Sequence, residues 1–146
     1  MKFSSFMKKL LYKLGLMAKR NIQEQIHADL FSKQPFGEPL AEGTLSARRR
    51  RGNTDMTALE DTGAFVNGMK VKKNPFGVEI FSSGKSKRLQ NYFVRGTATI
   101  PERNPFVKNL PLAQSSRTIE EAVIIKAGVQ IAKFFDKEIS KIKGVT

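Results

Sequence analysis

Apolar residues recur at helical spacing at both ends of the chain and alternate with polar ones only in the middle. Placed at 100° per residue, Phe3, Phe6, Met7, Leu10, Leu11, Leu14, Ala18 and Ile22 share one face, with Lys2, Lys9, Lys13 and Arg20 roughly opposite. The pattern predicts one long helix over residues 3 to about 32, an N-terminal helical segment spanning 1–32. After Ile22 the apolar positions Ile26 and Leu30 keep a spacing of four, which drifts round a helix and predicts a bend or a change of partner. Three roles fit such a helix: a core helix with a solvated basic face, an interface helix of an oligomer, or a helix lying on a membrane surface. A second long helix, over 118–143, opens at Thr118-Ile119-Glu120-Glu121, which has the form of a capping box. Its apolar stripe is Ile119, Val123, Ala127, Ile131, Phe134, Phe135, Ile139 and Ile142, and Lys126, Gln130, Lys133, Lys137 and Lys141 form the polar one. Acidic residues near its start and lysines near its end suit the helix dipole, and Gly144 is the expected stop.

Between the helices the period shortens. Residues 33–58 are rich in turn formers (Pro35, Gly37, Pro39, Gly43, Gly52, Asn53) and read as a basic loop carrying Arg48, Arg49, Arg50 and Arg51. Met69 to Lys72 alternates apolar and polar, Lys73 to Gly77 reads as a hairpin connection, and Val78 to Phe81 as the return strand. Gly84 to Arg88 reads as an exposed turn, Leu89 to Val94 as either a short helix or a third strand, and Thr97 to Ile100 as an edge strand. The resulting expectation is an α+β fold, with two long amphipathic helices packed on a small, mostly antiparallel sheet and with loops projecting from it.

The composition narrows the function classes. A chain of 146 residues fits a single domain. It carries 26 basic against 13 acidic side chains, a net charge of +13, and the first 52 residues alone contribute +7 from 11 basic and 4 acidic groups. Such a balance implies a polyanion, an acidic protein surface or an anionic membrane as partner. There is no cysteine, which excludes disulfides and thiolate metal sites. The one histidine, His27, has no triad-like company and reads as a solvated helical residue. With no phosphate-cradling glycine loop and no metal-ligand spacing, an enzyme is not expected and no cofactor is implied. The segment from Met1 to Leu14 superficially suggests a signal peptide. Lys13 interrupts its apolar run and no small-x-small site follows before Lys19-Arg20, so it reads as mature structure.

Three short segments stand out. The first is Thr44-Leu45 leading into Arg48–Arg51. The second is Leu59-Glu60-Asp61-Thr62-Gly63-Ala64-Phe65. The third is Gly96-Thr-Ala-Thr-Ile-Pro101-Glu-Arg103-Asn-Pro105-Phe106. Physically, Asp61 is placed to cap a short helix by accepting bonds from the Gly63 or Ala64 N–H. Leu59 and Phe65 flank that start as a staple-like pair, and Gly63 leaves room for another backbone. Pro101 and Pro105 hold their segment extended and exclude it from a central strand. Arg103 between them reads as an exposed or ion-paired guanidinium, and Phe106 as the buried anchor. No aromatic residues interleave with the arginine run, so a single-strand stacking platform is not suggested.

Taken in order, the basic tract, L-x-D-T-G-x-F and G-x4-P-x-R-x-P-F resemble the phage virion-morphogenesis family of neck and tail-completion proteins, over about residues 36 to 108. Family members often run Arg-Pro-Phe directly, whereas Asn104 intervenes here. The resemblance implies a structural protein that forms a homo-oligomeric ring at the neck or tail, a head–tail connector or tail-completion protein. Its implied partners are copies of itself, portal or head–tail connector proteins, tail tube or tail terminator proteins, and packaged DNA contacted without sequence specificity. No membrane is implied. Its implied place is the virion, after assembly in the host cytoplasm. Asp61, Thr62, Gly63, Arg103, Pro105 and Phe106 are then the candidate assembly residues, and Arg48, Arg49, Arg50 and Arg51 the candidates for lining a DNA channel or docking a partner. The rival reading is a basic nucleic-acid-binding protein, although no helix-turn-helix, zinc-finger or RNP-like signature accompanies the charge.

Overall fold

A computed structural model describes residues 2–84 and 86–145. Met1, at the head of the expected N-terminal segment, and Lys85, in the expected 84–88 turn, lie outside the described residues. The fold is α+β, as the periodicity predicts. Helix α1, Phe3–His27, is followed by a single 3-10 turn at Leu30–Ser32, then α2, Glu42–Arg50, and a four-residue α3, Ala64–Asn67. Strands β1, Met69–Asn74, and β2, Gly77–Ser82, lead into α4, Ser86–Arg95, and α5, Ile119–Val145.

The long helix ends at His27 rather than near residue 32. Asp29 takes a left-handed conformation at φ 57° and turns the chain. Its carboxylate then accepts from the Ser32 hydroxyl at 2.7 Å and from the Ala58 N–H at 3.0 Å, which pins the 53–60 segment to the end of α1. Beyond that turn Phe31 is fully buried, in one cluster with Ile22, Ile26, Leu59, Phe65, Leu110 and Ile119.

The sheet is a two-stranded antiparallel hairpin, with Met69 opposite Ser82 and Asn74 opposite Gly77. Pro75 and Phe76 make the tip, where Asn74 Oδ1 accepts from the Phe76 N–H at 2.9 Å. The hairpin lies on α1 at Gly15, where a Cβ would stand 2.8 Å from a Val71 methyl and 3.1 Å from one of Val78. Only a residue without a side chain permits so close a layer. The 97–100 segment is not the expected edge strand. It is a turn, in which the Thr97 N–H donates to the Ile100 carbonyl at 2.7 Å and the Thr97 hydroxyl accepts from the Ile100 N–H. The ambiguous 89–94 stretch is helical, within α4.

Helix α5 opens with the expected capping box: Thr118 N–H donates to Glu121 Oε2 at 2.8 Å, and Glu121 N–H to Thr118 Oγ1 at 3.2 Å. It runs through Gly144 instead of stopping there. It packs chiefly on α1 and is antiparallel to it. Ile119 shares the core with Ile22 and Ile26 at one end, while Phe134 stacks on Phe6 at 4.3 Å between ring centroids at the other. The layers are therefore hairpin, α1, α5, with the two long helices stacked rather than side by side on the sheet.

Candidate functional site

The three segments singled out in the sequence close round one cleft. Arg48 and Thr44 of α2 form one wall, the 58–65 segment the floor, and the loop carrying Ile100, Pro101 and Arg103 the other wall. Leu89 and Phe93 of α4 and residues 38–41 complete a cleft of about 590 Å³.

Residues 42–50 form a helix, which overturns the expected 33–58 loop as the support of the arginines. The run therefore radiates from the last helical turn, and its members do different things. Arg48 is only 3% exposed; its Nη1 donates to the carbonyls of Asp55 at 3.1 Å and Thr57 at 2.7 Å. It thus stitches α2 to the floor and is not a projecting cation. Arg49 pairs with Glu42 on its own helix at 2.9 Å. Arg51 donates from Nη2 to both oxygens of Asp61, at 3.0 and 2.9 Å. Arg50 is exposed.

Asp61 is not a helix cap. The N-cap of α3 is Gly63, and the Ala64 N–H points at Thr62 Oγ1, 3.4 Å away. Asp61 instead gathers donors: Arg51, the Asn53 side-chain amide at 2.9 Å to Oδ1, and the charge of Arg48, whose Nε lies 3.5 Å away without completing a hydrogen bond. Partial burial opposes ionisation, but these donors outweigh it and hold the carboxyl below the usual carboxylate range. The preceding Glu60 is shifted the other way, because burial raises it more than the neighbouring His27 lowers it; His27 is thus partnered by a carboxylate. Gly63 serves its own backbone at φ 76°, and among the described residues no other main chain comes within 4 Å of an added Cβ, whose nearest atom is Asn67 Nδ2 at 3.0 Å.

The third segment is folded inward, not projecting. Gly96 turns the chain out of α4 at φ 69°, with its N–H on the Tyr92 carbonyl at 2.7 Å, and an added Cβ would stand 3.0 Å from the Glu102 nitrogen. The loop then returns, and the Arg103 N–H donates to the Phe93 carbonyl at 2.7 Å. This closure explains the glycine-to-arginine spacing: the glycine makes the turn and the arginine re-enters under the helix end. Arg103 is consequently 4% exposed, contrary to the exposed or ion-paired guanidinium expected. Its Nη2 has one long bond to the Pro39 carbonyl at 3.4 Å, and its Nη1 has no partner. Burial above all depresses its pKa, Glu38 and Asp29 offset part of that, and Arg48 adds to it. The buried anchor of the segment is Pro105, fully enclosed, whereas Phe106 is only half-buried. An N–H of Phe106 on Asn104 Oδ1 at 2.9 Å shows what the intervening Asn104 does: it turns the chain between the buried arginine and the buried proline.

Of the sequence candidates, Arg48, Asp61, Thr62, Gly63 and Arg103 therefore line the cleft, while Arg49, Arg50, Arg51, Pro105 and Phe106 do not. Leu40, Leu89 and Phe93 were not singled out. The signal available for Phe93 is that α4 is strongly amphipathic, which turns Phe93 inward onto Phe65 at 5.1 Å, edge to face. Among the described residues no group of three or more His, Asp or Glu side chains is placed to hold a metal, and no helix is long and apolar enough to cross a membrane. No protein-family model, no curated protein and no solved structure matches this chain.

Proposed function

We propose that the chain is a structural protein of a phage virion, a self-associating head–tail connector or tail-completion protein that works by assembly and not by catalysis. The observation that carries this reading is the convergence of the three resemblance segments. Stretches as far apart as Thr44 and Arg103 fold into the walls of one cleft, which supports reading the pattern as a unit. Self-association is supported by α5, whose outer face leaves Ile124, Phe135, Ile139 and Ile142 exposed, Ile124 by 62% and Ile142 by 69%. At 100° per residue these four fall within about 60° of one another, a continuous stripe rather than scattered side chains. Phe3 stacks on Phe135 at 5.5 Å and extends the stripe onto α1. Contiguous apolar surface of this kind marks an interface, and a second copy of the chain, as in a ring, would cover it. Deleting the gene from the phage genome should leave filled heads and finished tails unjoined, and mass spectrometry of wild-type particles should find the protein in several copies. Normal joining without it would contradict the reading.

The net charge of +13 favours one second reading, non-specific nucleic-acid binding. Because Arg48 and Arg51 are held against the 55–61 segment, while Arg49 shares only an exposed pair with Glu42, the run offers Arg49 and Arg50 to phosphates. Replacing all four arginines by Gln should then flatten the slope of log affinity against log salt by up to about 1.8, not by the roughly 3.6 that four free cations would give.

A further inference from the structure

We propose that the cleft is a receptor for an acidic segment of a different protein, seating one Asp or Glu carboxylate on Arg103 and an adjoining apolar side chain on Leu59, Phe65 and Phe93. The inference stands on the cleft alone and goes beyond the assembly reading.

A buried guanidinium ordinarily has a carboxylate beside it, because an unpaired charge out of water is costly. Arg103 has no ion pair among the described residues, and its Nη1 has no hydrogen-bond partner. The long Nη2 bond to the Pro39 carbonyl, at 3.4 Å, is the weak contact that an incoming carboxylate displaces, taking Nη1 and Nη2 together as a fork. Arg48, the other buried cation of the cleft, is already engaged by the Asp55 and Thr57 carbonyls and faces Asp61, so Arg103 is the cation left for a ligand. The fold invests in holding this cation: the Gly96 turn and the Arg103 N–H bond to Phe93 fix its backbone before any ligand arrives.

The surroundings select the class of anion. The floor and far wall are apolar, so the occupant brings an apolar group beside its charge. Glu38 and Asp61 also line the cleft, which suits a singly charged carboxylate better than a phosphate dianion. At about 590 Å³ the space is that of a small-ligand pocket, enough for neighbouring side chains of a peptide but not for a nucleic-acid duplex. The unpaired Arg103 calls for an acidic occupant, and a chain with 26 basic against 13 acidic side chains is a poorer source of one than a foreign acidic protein.

The test is titration of the full-length protein with the peptide acetyl-Leu-Asp-Phe-amide, followed by calorimetry and by the NMR signals of Leu59, Phe65 and Phe93. The controls are the matching Asn peptide, inorganic phosphate and a single-stranded oligonucleotide. The Asp peptide should shift those signals and bind at least about tenfold more tightly than the Asn peptide, the margin expected for a charge-assisted fork. In Arg103→Met that margin should vanish while the thermal melt stays near wild type. Equal binding of the Asp and Asn peptides, or no binding of either, overturns the proposal. So does phosphate or oligonucleotide competing at the cleft, or a cross-link showing a second copy seated there. If Arg103→Met fails to fold, Arg103 is a structural cation, and the wild-type Asp-against-Asn comparison decides on its own. Failure to form rings would sink the assembly reading and leave this one standing, and a negative titration would do the reverse.

Discussion

Glu60 and Asp61 are adjacent carboxylates pulled in opposite directions by their surroundings, and the difference gives the protein a pH signature. Asp61 has a depressed pKa in the fold, so its contribution is present above the ordinary carboxylate value and is lost as pH falls through the depressed one. Glu60 has a raised pKa, so its contribution is present below the ordinary value and is lost as pH rises through the raised one. Thermal melts should therefore show that Asp61→Asn removes part of the acid-side loss of stability below about pH 4, whereas Glu60→Gln removes part of the decline on the other side of that value. An unchanged pH profile in both variants would mean that neither shift exists. At Arg103 the expected behaviour departs from that of a core residue. Arg103→Met should be neutral or stabilising, because an apolar side chain of similar length replaces an unpaired buried cation. Leu59→Ala, by contrast, should cost about 2–5 kcal/mol in a denaturant melt, as a buried leucine does. Phe106→Ala, at a half-buried position, should cost less than that.

At the level of elements, the sharpest constraint is the contact of α1 with the hairpin at Gly15. Gly15→Val would force side-chain atoms into Val71 and Val78, and the overpacking should cost about 1–3 kcal/mol or more in urea unfolding. A melt like that of wild type would show that the hairpin does not lie there. The hairpin tip should tolerate change: Phe76 is 100% exposed, so Phe76→Ser should leave the melt unaltered. The long helices and the hairpin were legible in the sequence because their signals are local, a 3.6-residue or two-residue period plus a capping box. Helix α2 was not legible, since Glu42–Arg50 contains Gly43, a single large apolar residue, Leu45, and no stripe. What anchors it is distant, the Arg48 bonds to Asp55 and Thr57 and the Arg51 fork on Asp61. Arg103 misled for the same reason. A proline-flanked arginine looks solvated until the turn at Gly96 folds the loop back on α4. Its neighbours in the cleft were visible as motifs, but their meeting was not, because no local pattern encodes a contact between residues 48, 61 and 103.

For the molecule as a whole, the surface divides into two regions of different chemistry. Its cleft gathers charge that is largely internal, while the stacked α1–α5 pair turns apolar residues outward. The charge run that dominates the sequence is therefore less available than it looks, since Arg48 and Arg51 are engaged in the fold. The apolar surface that the fold leaves largely uncovered on α5 is the stripe of Ile124, Phe135, Ile139 and Ile142, which the helical period displays. Self-association through that stripe is the central claim, and sedimentation velocity of the purified protein beside the double variant Ile124→Glu, Ile142→Glu tests it most directly. Both substitutions lie on exposed positions, so the variant should melt like wild type. Wild type should sediment as a discrete oligomer and the variant as a monomer. A wild-type protein that stays monomeric up to about millimolar concentration, or a variant whose oligomer is unchanged, would contradict the account.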